Sequence, residues 1–162
     1  MPSPRPFVLG LTGLSSTGKT TLSQHLRRLF PAVSLIHQDD FYHADSLIPT
    51  HSGLQDWDCA ASIDWPSLTA ALSQAPDAAA VATNTDAVDL VAPEFMRRME
   101  TRVRSSAVDE TTPLVIVDGF LLVHGDSAVE ALLDATILLR VPYAVVSDFS
   151  GYRREGGLLR GL

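Results

Sequence analysis

Gly13-Leu14-Ser15-Ser16-Thr17-Gly18-Lys19-Thr20 spells G-x-x-x-x-G-K-[ST], the spacing of a phosphate-binding P-loop. Its glycines let the backbone curl, so successive N–H groups point inward at a polyanion. Lys19 has the reach of a point charge for the β- and γ-phosphates, and the Thr20 hydroxyl suits Mg²⁺. Such a loop works only when a strand feeds it and a helix leaves it. Pro6-Phe7-Val8-Leu9-Gly10-Leu11-Thr12 predicts the strand. From Thr20 to Phe30, Leu22, Leu26 and Leu29 (or Phe30) share one helical face, and Arg27 and Arg28 sit in the last turn, where cations suit the dipole. The positive end of that helix then meets the same phosphates. Gly13, Ser15, Ser16, Thr17, Gly18, Lys19, Thr20 and Thr21 are the expected nucleotide contacts.

The rest of the chain alternates strand and helix patterns. Residues 32–37 predict a second strand, followed by Asp39, Asp40, Phe41 and Tyr42. Residues 45–57 are polar and turn-rich and read as a surface loop. Ser62 opens a helical stretch with Ile63, Leu68 and Leu72 apolar and Pro66 in its first turn. Residues 77–93 are rich in Ala, Asp and Thr and predict a loop or insertion. Glu94 to Val108 predicts a charged helix with Phe95, Met99 and Val103 on one stripe; Arg97, Arg98, Arg102 and Arg104 read as its solvated face. Pro113-Leu114-Val115-Ile116-Val117-Asp118-Gly119-Phe120 is a continuous apolar run with an acid and a glycine at its carboxyl end, as in a parallel strand buried on both faces. Residues 135–141 predict a further strand. This order predicts an α/β fold with a mostly parallel sheet and right-handed crossovers. Ligands of such sheets bind at the carboxyl ends of the strands, where the P-loop, Asp39-Asp40 and Asp118-Gly119 all fall.

Composition sets outer bounds. The 162 residues carry 19 acids against 12 Lys and Arg, a net charge of −7, which argues against a general nucleic-acid surface. Cys59 is the single cysteine, so an internal disulfide is excluded and a reducing, cytoplasmic setting is expected. The sequence shows no apolar run of transmembrane length, and its first residues lack the apolar core of a signal peptide.

Phosphoryl transfer needs the phosphates held, charge neutralised by a metal, and an acid to orient or deprotonate the acceptor hydroxyl. Asp39, just past the second strand, is the first candidate for that acid; a turn aspartate is the plainer reading, and Asp40 is the alternative residue. Asp118, ending its strand, suits a metal or its waters, against the plainer reading of an Asp-Gly turn. Trp57 beside Asp58 is either a packing anchor or an aromatic face for a flat, cationic ring with a carboxylate for sugar hydroxyls. His25 and His37 read as structural.

Gly-Leu-Ser-Ser-Thr-Gly-Lys-Thr-Thr-Leu, then His-Gln-Asp-Asp-Phe-Tyr, then Leu-Gln-Asp-Trp-Asp, then Val-Asp-Gly-Phe-Leu-Leu resemble, in order, the motifs of the nicotinamide riboside kinases. That family is related to uridine kinase and pantothenate kinase within the P-loop kinases. The resemblance spans roughly residues 7 to 143. It implies a three-layer P-loop NTPase fold over residues 1–146, with ATP and Mg²⁺ as cofactors and a nucleoside as the small-molecule partner. It also implies transfer of phosphate to the 5′-hydroxyl of nicotinamide riboside. Lys19, Asp39 and Asp118 take catalytic roles in this picture. Asp39, Tyr42, Trp57 and Asp58 face the substrate, and Thr20 and Asp118 serve the metal. Asp118 stands where vertebrate members carry glutamate, one methylene longer.

The family continues past Val141-Pro142-Tyr143 into an arginine-rich lid, a further strand and a helix, whereas here the resemblance stops near Val146. A C-terminally truncated kinase domain, an irregular tail over 147–162 and impaired turnover are therefore expected. The chain is expected to act as a monomer without membrane or nucleic-acid partners. A uridine kinase-like enzyme and a non-catalytic nucleotide-binding protein are the competing readings.

Overall fold

The computed structural model describes residues 5–30, 33–75, 91–105, 113–124 and 128–142. The loop or insertion expected over 77–93 falls almost wholly outside these residues, and the tail over 147–162 does so entirely. In chain order the elements are β1 (Phe7–Thr12), α1 (Lys19–Leu29), β2 (Val33–His37), β3 (Thr50–His51), β4 (Leu54–Gln55), α2 (Trp65–Gln74), α3 (Pro93–Ser105), β5 (Leu114–Gly119) and β6 (Ala135–Leu138). The main sheet runs β2-β5-β1-β6, with every neighbouring pair parallel. No described helix is long and apolar enough to cross a membrane.

Alternation along the strands divides the core between two faces of this sheet. Val8, Val115 and Val117 pack with Leu68 and Leu72 of α2, together with Leu122 and Val129. Leu11, Val33, Leu35 and Ile116 pack on the other face, against Leu22, Leu26 and Phe30 of the α1 segment. Helices cover both faces, which is the three-layer arrangement expected. Val115, Ile116 and Val117 in β5 are almost fully buried, as the unbroken apolar run required. The same alternation places His37 and Asp118 on the α1 face, and the register pairs them directly across β2 and β5. That face of the strand ends is where the site forms.

Local chemistry accounts for three differences from expectation. Helix α2 starts at Trp65 rather than Ser62, because the Asp64 carboxylate accepts the Ser67 N–H as its cap. Ser62 instead donates its hydroxyl to the carbonyls of Trp57 and Cys59. Residues 50–55 form a small hairpin, Thr50 opposite Gln55 and His51 opposite Leu54, inside the expected loop. Its turn is Ser52-Gly53, both at positive φ (52° and 82°), as a two-residue hairpin turn demands. In α3 the half-buried apolar residues are Met96, Met99 and Val103, while Phe95 is exposed with Arg98 5.8 Å above its ring. The four arginines of α3 are exposed, as expected for a solvated face.

Candidate active site

The P-loop connects β1 to α1 at the carboxyl end of the sheet. Gly18 caps α1 at φ 89°, a conformation glycine adopts without strain, and open space surrounds the position of an added Cβ. The cap has no side-chain hydrogen bond, and the first turn of α1 carries no acid. Its N–H dipoles therefore meet no competing carboxylate from the helix itself. Lys19 Nζ donates to the carbonyls of Gly13 (2.8 Å) and Leu14 (2.9 Å), folding back over the loop that it would serve. Burial pushes the Lys19 pKa below its ordinary 10.5, and the charges of Asp118 and Asp39 pull it back up.

A cleft of about 670 Å³ opens over this loop. Ser15 to Leu22 line it, together with Asp39, Asp118, Gly119 and Phe120. The cleft thus joins Lys19, Thr20, Asp39 and Asp118, which lie up to about a hundred residues apart in sequence. Thr17 lines it too, but its hydroxyl (2.8 Å) and its N–H (3.3 Å) both go to the Leu14 carbonyl. Gly13 sits beneath, buried, where an added Cβ would fall 2.5 Å from the Leu139 carbonyl oxygen.

Asp39 lies in a 3₁₀ turn, Gln38–Phe41, directly after β2. Of the adjacent pair, Asp39 lines the cleft and Asp40 does not. Asp39 is exposed at the rim, yet the cleft wall still strips enough water from its carboxyl to raise its pKa above 3.8. The Asp118 charge adds to that rise, and Lys19 and His37 oppose it.

Asp118 is 5% exposed and is held from two sides. His37 Nδ1 lies 2.8 Å from its Oδ1, and Ser23 Oγ lies 3.1 Å from its Oδ2. The hydrogen bond to Asp118 raises the His37 pKa above 6.5, against the opposing effect of burial. In the sequence His37 reads as structural and Ser23 carries no signal. The one advance signal was position, since His37 and Asp118 both end apolar strands.

Gln38 was also missed. It is completely buried, and its Oε1 accepts the N–H groups of Phe120 (2.9 Å) and Leu121 (3.2 Å). One side chain therefore ties the loop after β5 to the loop bearing Asp39. Gly119 makes room for it, since a Cβ there would strike Gln38 Oε1 and lie 2.7 Å from its Cβ. Gly119→Ala is expected to destabilise the fold by about 1–3 kcal/mol, because neither the central strand nor the pinned Gln38 side chain can yield. A urea midpoint unchanged from the parent would show that the clamp gives way freely.

The aromatic residues gather beside the cleft. Tyr42 bridges to Ile63, and the neighbouring His43 N–H donates to Ser62 O at 2.9 Å, fixing the segment. Its ring meets Trp57 edge-on at 5.4 Å and stacks on Phe120 at 6.3 Å. Trp57 and Asp58 do not line the main cleft; Phe120, which lines it and touches Tyr42, joins the two regions. Burial pushes the Tyr42 phenol up to about 12, with the charges of Asp39, Asp58 and Cys59 adding to it. The phenol is thus neutral at physiological pH and available as a hydrogen-bond donor.

No protein-family model matches the chain. Its sequence is 30% identical to the nicotinamide riboside kinase of Schizosaccharomyces pombe over 93% of this chain and 65% of that protein. It is 30% identical to the nicotinamide riboside kinase of Saccharomyces cerevisiae over 95% of this chain and 68% of that protein. The chain belongs to the nicotinamide riboside kinase family. It spans about two thirds of the length of these kinase relatives. Among solved structures, one described as a possible uridine kinase from Bacillus stearothermophilus matches with a TM-score of 0.53 at 18% identity, over 92% of this chain and 78% of that one. That likeness is one of fold, and it agrees with the three-layer parallel sheet.

Proposed function

We propose that the chain phosphorylates the 5′-hydroxyl of nicotinamide riboside with ATP, giving nicotinamide mononucleotide, a step of NAD salvage in the cytoplasm. One observation carries this reading: Lys19, Thr20, Asp39 and Asp118 line a single cleft beside the Tyr42–Trp57–Phe120 aromatic cluster. The start of α1, which has no side-chain cap, and the loop N–H groups take the ATP phosphates. Lys19 leaves the Gly13 and Leu14 carbonyls to pair with them. Asp39 accepts the proton of the attacking hydroxyl. Trp57 offers a face to the pyridinium ring, and Asp58 accepts from the ribose hydroxyls.

The donor set suits Mg²⁺. It is all oxygen, a hydroxyl from Thr20 and a carboxylate from Asp118, and no cluster of three His, Cys, Asp or Glu forms a metal cage among the described residues. Mg²⁺ characteristically binds through one or two protein oxygens plus waters and phosphates. When bound, it neutralises charge on the β- and γ-phosphates.

The test incubates purified protein with ATP, Mg²⁺ and either nicotinamide riboside or uridine. Formation of nicotinamide mononucleotide, faster than uridine monophosphate, is the expected result. Faster uridine turnover would overturn the acceptor assignment, and ATP binding without turnover on either nucleoside would favour a non-catalytic nucleotide-binding protein. Trp57→Ala is expected to raise KM for nicotinamide riboside by roughly 3–30-fold, the worth of a lost cation–π contact. The uridine KM serves as the control, since uracil carries no charge.

A further inference from the structure

We propose that His37 is a positioning residue for Asp118, fixing the orientation in which that carboxylate serves the Mg²⁺ of the nucleotide. The proposal rests on the reading of Asp118 as the metal acid. Four observations carry it. First, His37 and Asp118 are register partners on adjacent parallel strands and share the α1 face, so the sheet itself delivers the ring to the carboxylate. Second, an ionised carboxylate only accepts, so across the 2.8 Å contact Nδ1 carries a proton and donates to Oδ1. Third, the other donor is shared. Ser23 Oγ lies 3.1 Å from Asp118 Oδ2 but also 2.9 Å from the Thr20 carbonyl, and one hydroxyl proton serves only one acceptor fully. His37 is therefore the dedicated donor of the pair. Fourth, both partners are mostly sealed from water, with side-chain exposures of 13% for His37 and 7% for Asp118. Solvent is poorly placed to replace the bond.

The bond leaves Oδ1 anchored and limits rotation of the carboxylate about its Cβ–Cγ axis. Ser23 extends the constraint to the backbone of Thr20, the other oxygen proposed for the ion. Partners that orient a metal-serving group typically change metal affinity by 10–100-fold when removed. Asparagine is the informative replacement, because its side-chain N–H₂ occupies nearly the place of Nδ1 and donates equally.

The experiment measures ATP affinity by calorimetry on the full chain, without metal and across a Mg²⁺ series, for the parent, His37→Ala and His37→Asn. The parent is expected to bind ATP more tightly with Mg²⁺. His37→Ala is expected to cut that enhancement about tenfold or more while leaving metal-free ATP affinity unchanged, and His37→Asn to restore most of it. An undiminished enhancement in His37→Ala, whatever its melting temperature, would reduce His37 to packing and overturn the proposal. ATP binding by the parent that ignores Mg²⁺ would remove the metal role of Asp118 and the proposal with it; no ATP binding at all would remove the underlying nucleotide reading. Should His37→Ala fail to fold, ¹⁵N-histidine NMR of the parent decides. The His37 resonances are expected to show the Nδ1–H form and to move when Mg²⁺ joins the ATP complex; unmoved resonances would overturn the proposal.

Discussion

Asp39→Ala leaves ATP binding intact and lowers phosphoryl transfer by roughly 10²–10⁴-fold, the usual worth of a positioned proton acceptor. The two halves of this expectation come from geometry. Asp39 lines the same cleft from a turn that follows a different strand, and takes no part in the loop's own hydrogen bonds. Removing it also removes a negative charge facing the phosphates, so ATP affinity is expected to hold or rise slightly. The pH dependence follows from the raised pKa. Asp39 must be ionised to accept a proton, and desolvation, followed by the Asp118 charge, keeps it protonated to a higher pH than an ordinary aspartate. Activity therefore falls on the acid side, with the midpoint of that limb in kcat/KM above 3.8. Calorimetry with ATP and a coupled kinase assay check both halves. Loss of ATP binding in the variant would contradict the assigned role.

Lys19→Ala is expected to weaken ATP binding by about 100-fold, equivalent to one charge-assisted hydrogen bond at the upper end of its range. The side chain is already gathered over the loop, 2.8 and 2.9 Å from two of its carbonyls, so the ammonium stands beside the phosphate site before nucleotide arrives. Partial burial raises the worth of the charge further, because water screens it less. The comparison with Asp39→Ala separates binding from chemistry: one variant loses nucleotide and the other keeps it. Fluorescent ATP titration measures the difference, and an affinity within threefold of the parent would show that the loop amides alone hold the phosphates.

Local chemistry made much of this fold readable. The glycine spacing of the P-loop, the apolar face of Leu22 and Leu26, and the unbroken run before Asp118 each express a rule that acts within a dozen residues. Those segments became β1, α1 and β5 with boundaries shifted by a residue or so. The parts that stayed hidden depend on partners far away. His37 meets Asp118 across 81 residues, Ser23 meets it across 95, and Gln38 reaches Phe120 across 82. No local period encodes such pairs; only sheet register creates them. The start of α2 was misread for a subtler reason, since Ser62 and Asp64 are both good caps and the choice fell to which one faced a free N–H. The aromatic cluster was half visible. Tyr42 and Trp57 stand out in the sequence, but Phe120 reads there as a strand-end apolar residue, and only the fold lays its ring on Tyr42.

The sheet order has a kinetic corollary. Strand β5 is laddered on both flanks, by β1 and by β2, whereas β6 is exposed along its whole length. Fraying in such a sheet begins at the rim and moves inward. The β5 amides should accordingly be among the slowest to exchange with deuterium, and those of β6 among the fastest of the main sheet. The carboxylate proposed for the metal thus rides on the most durable piece of the scaffold, and excursions at the periphery pass without unseating it.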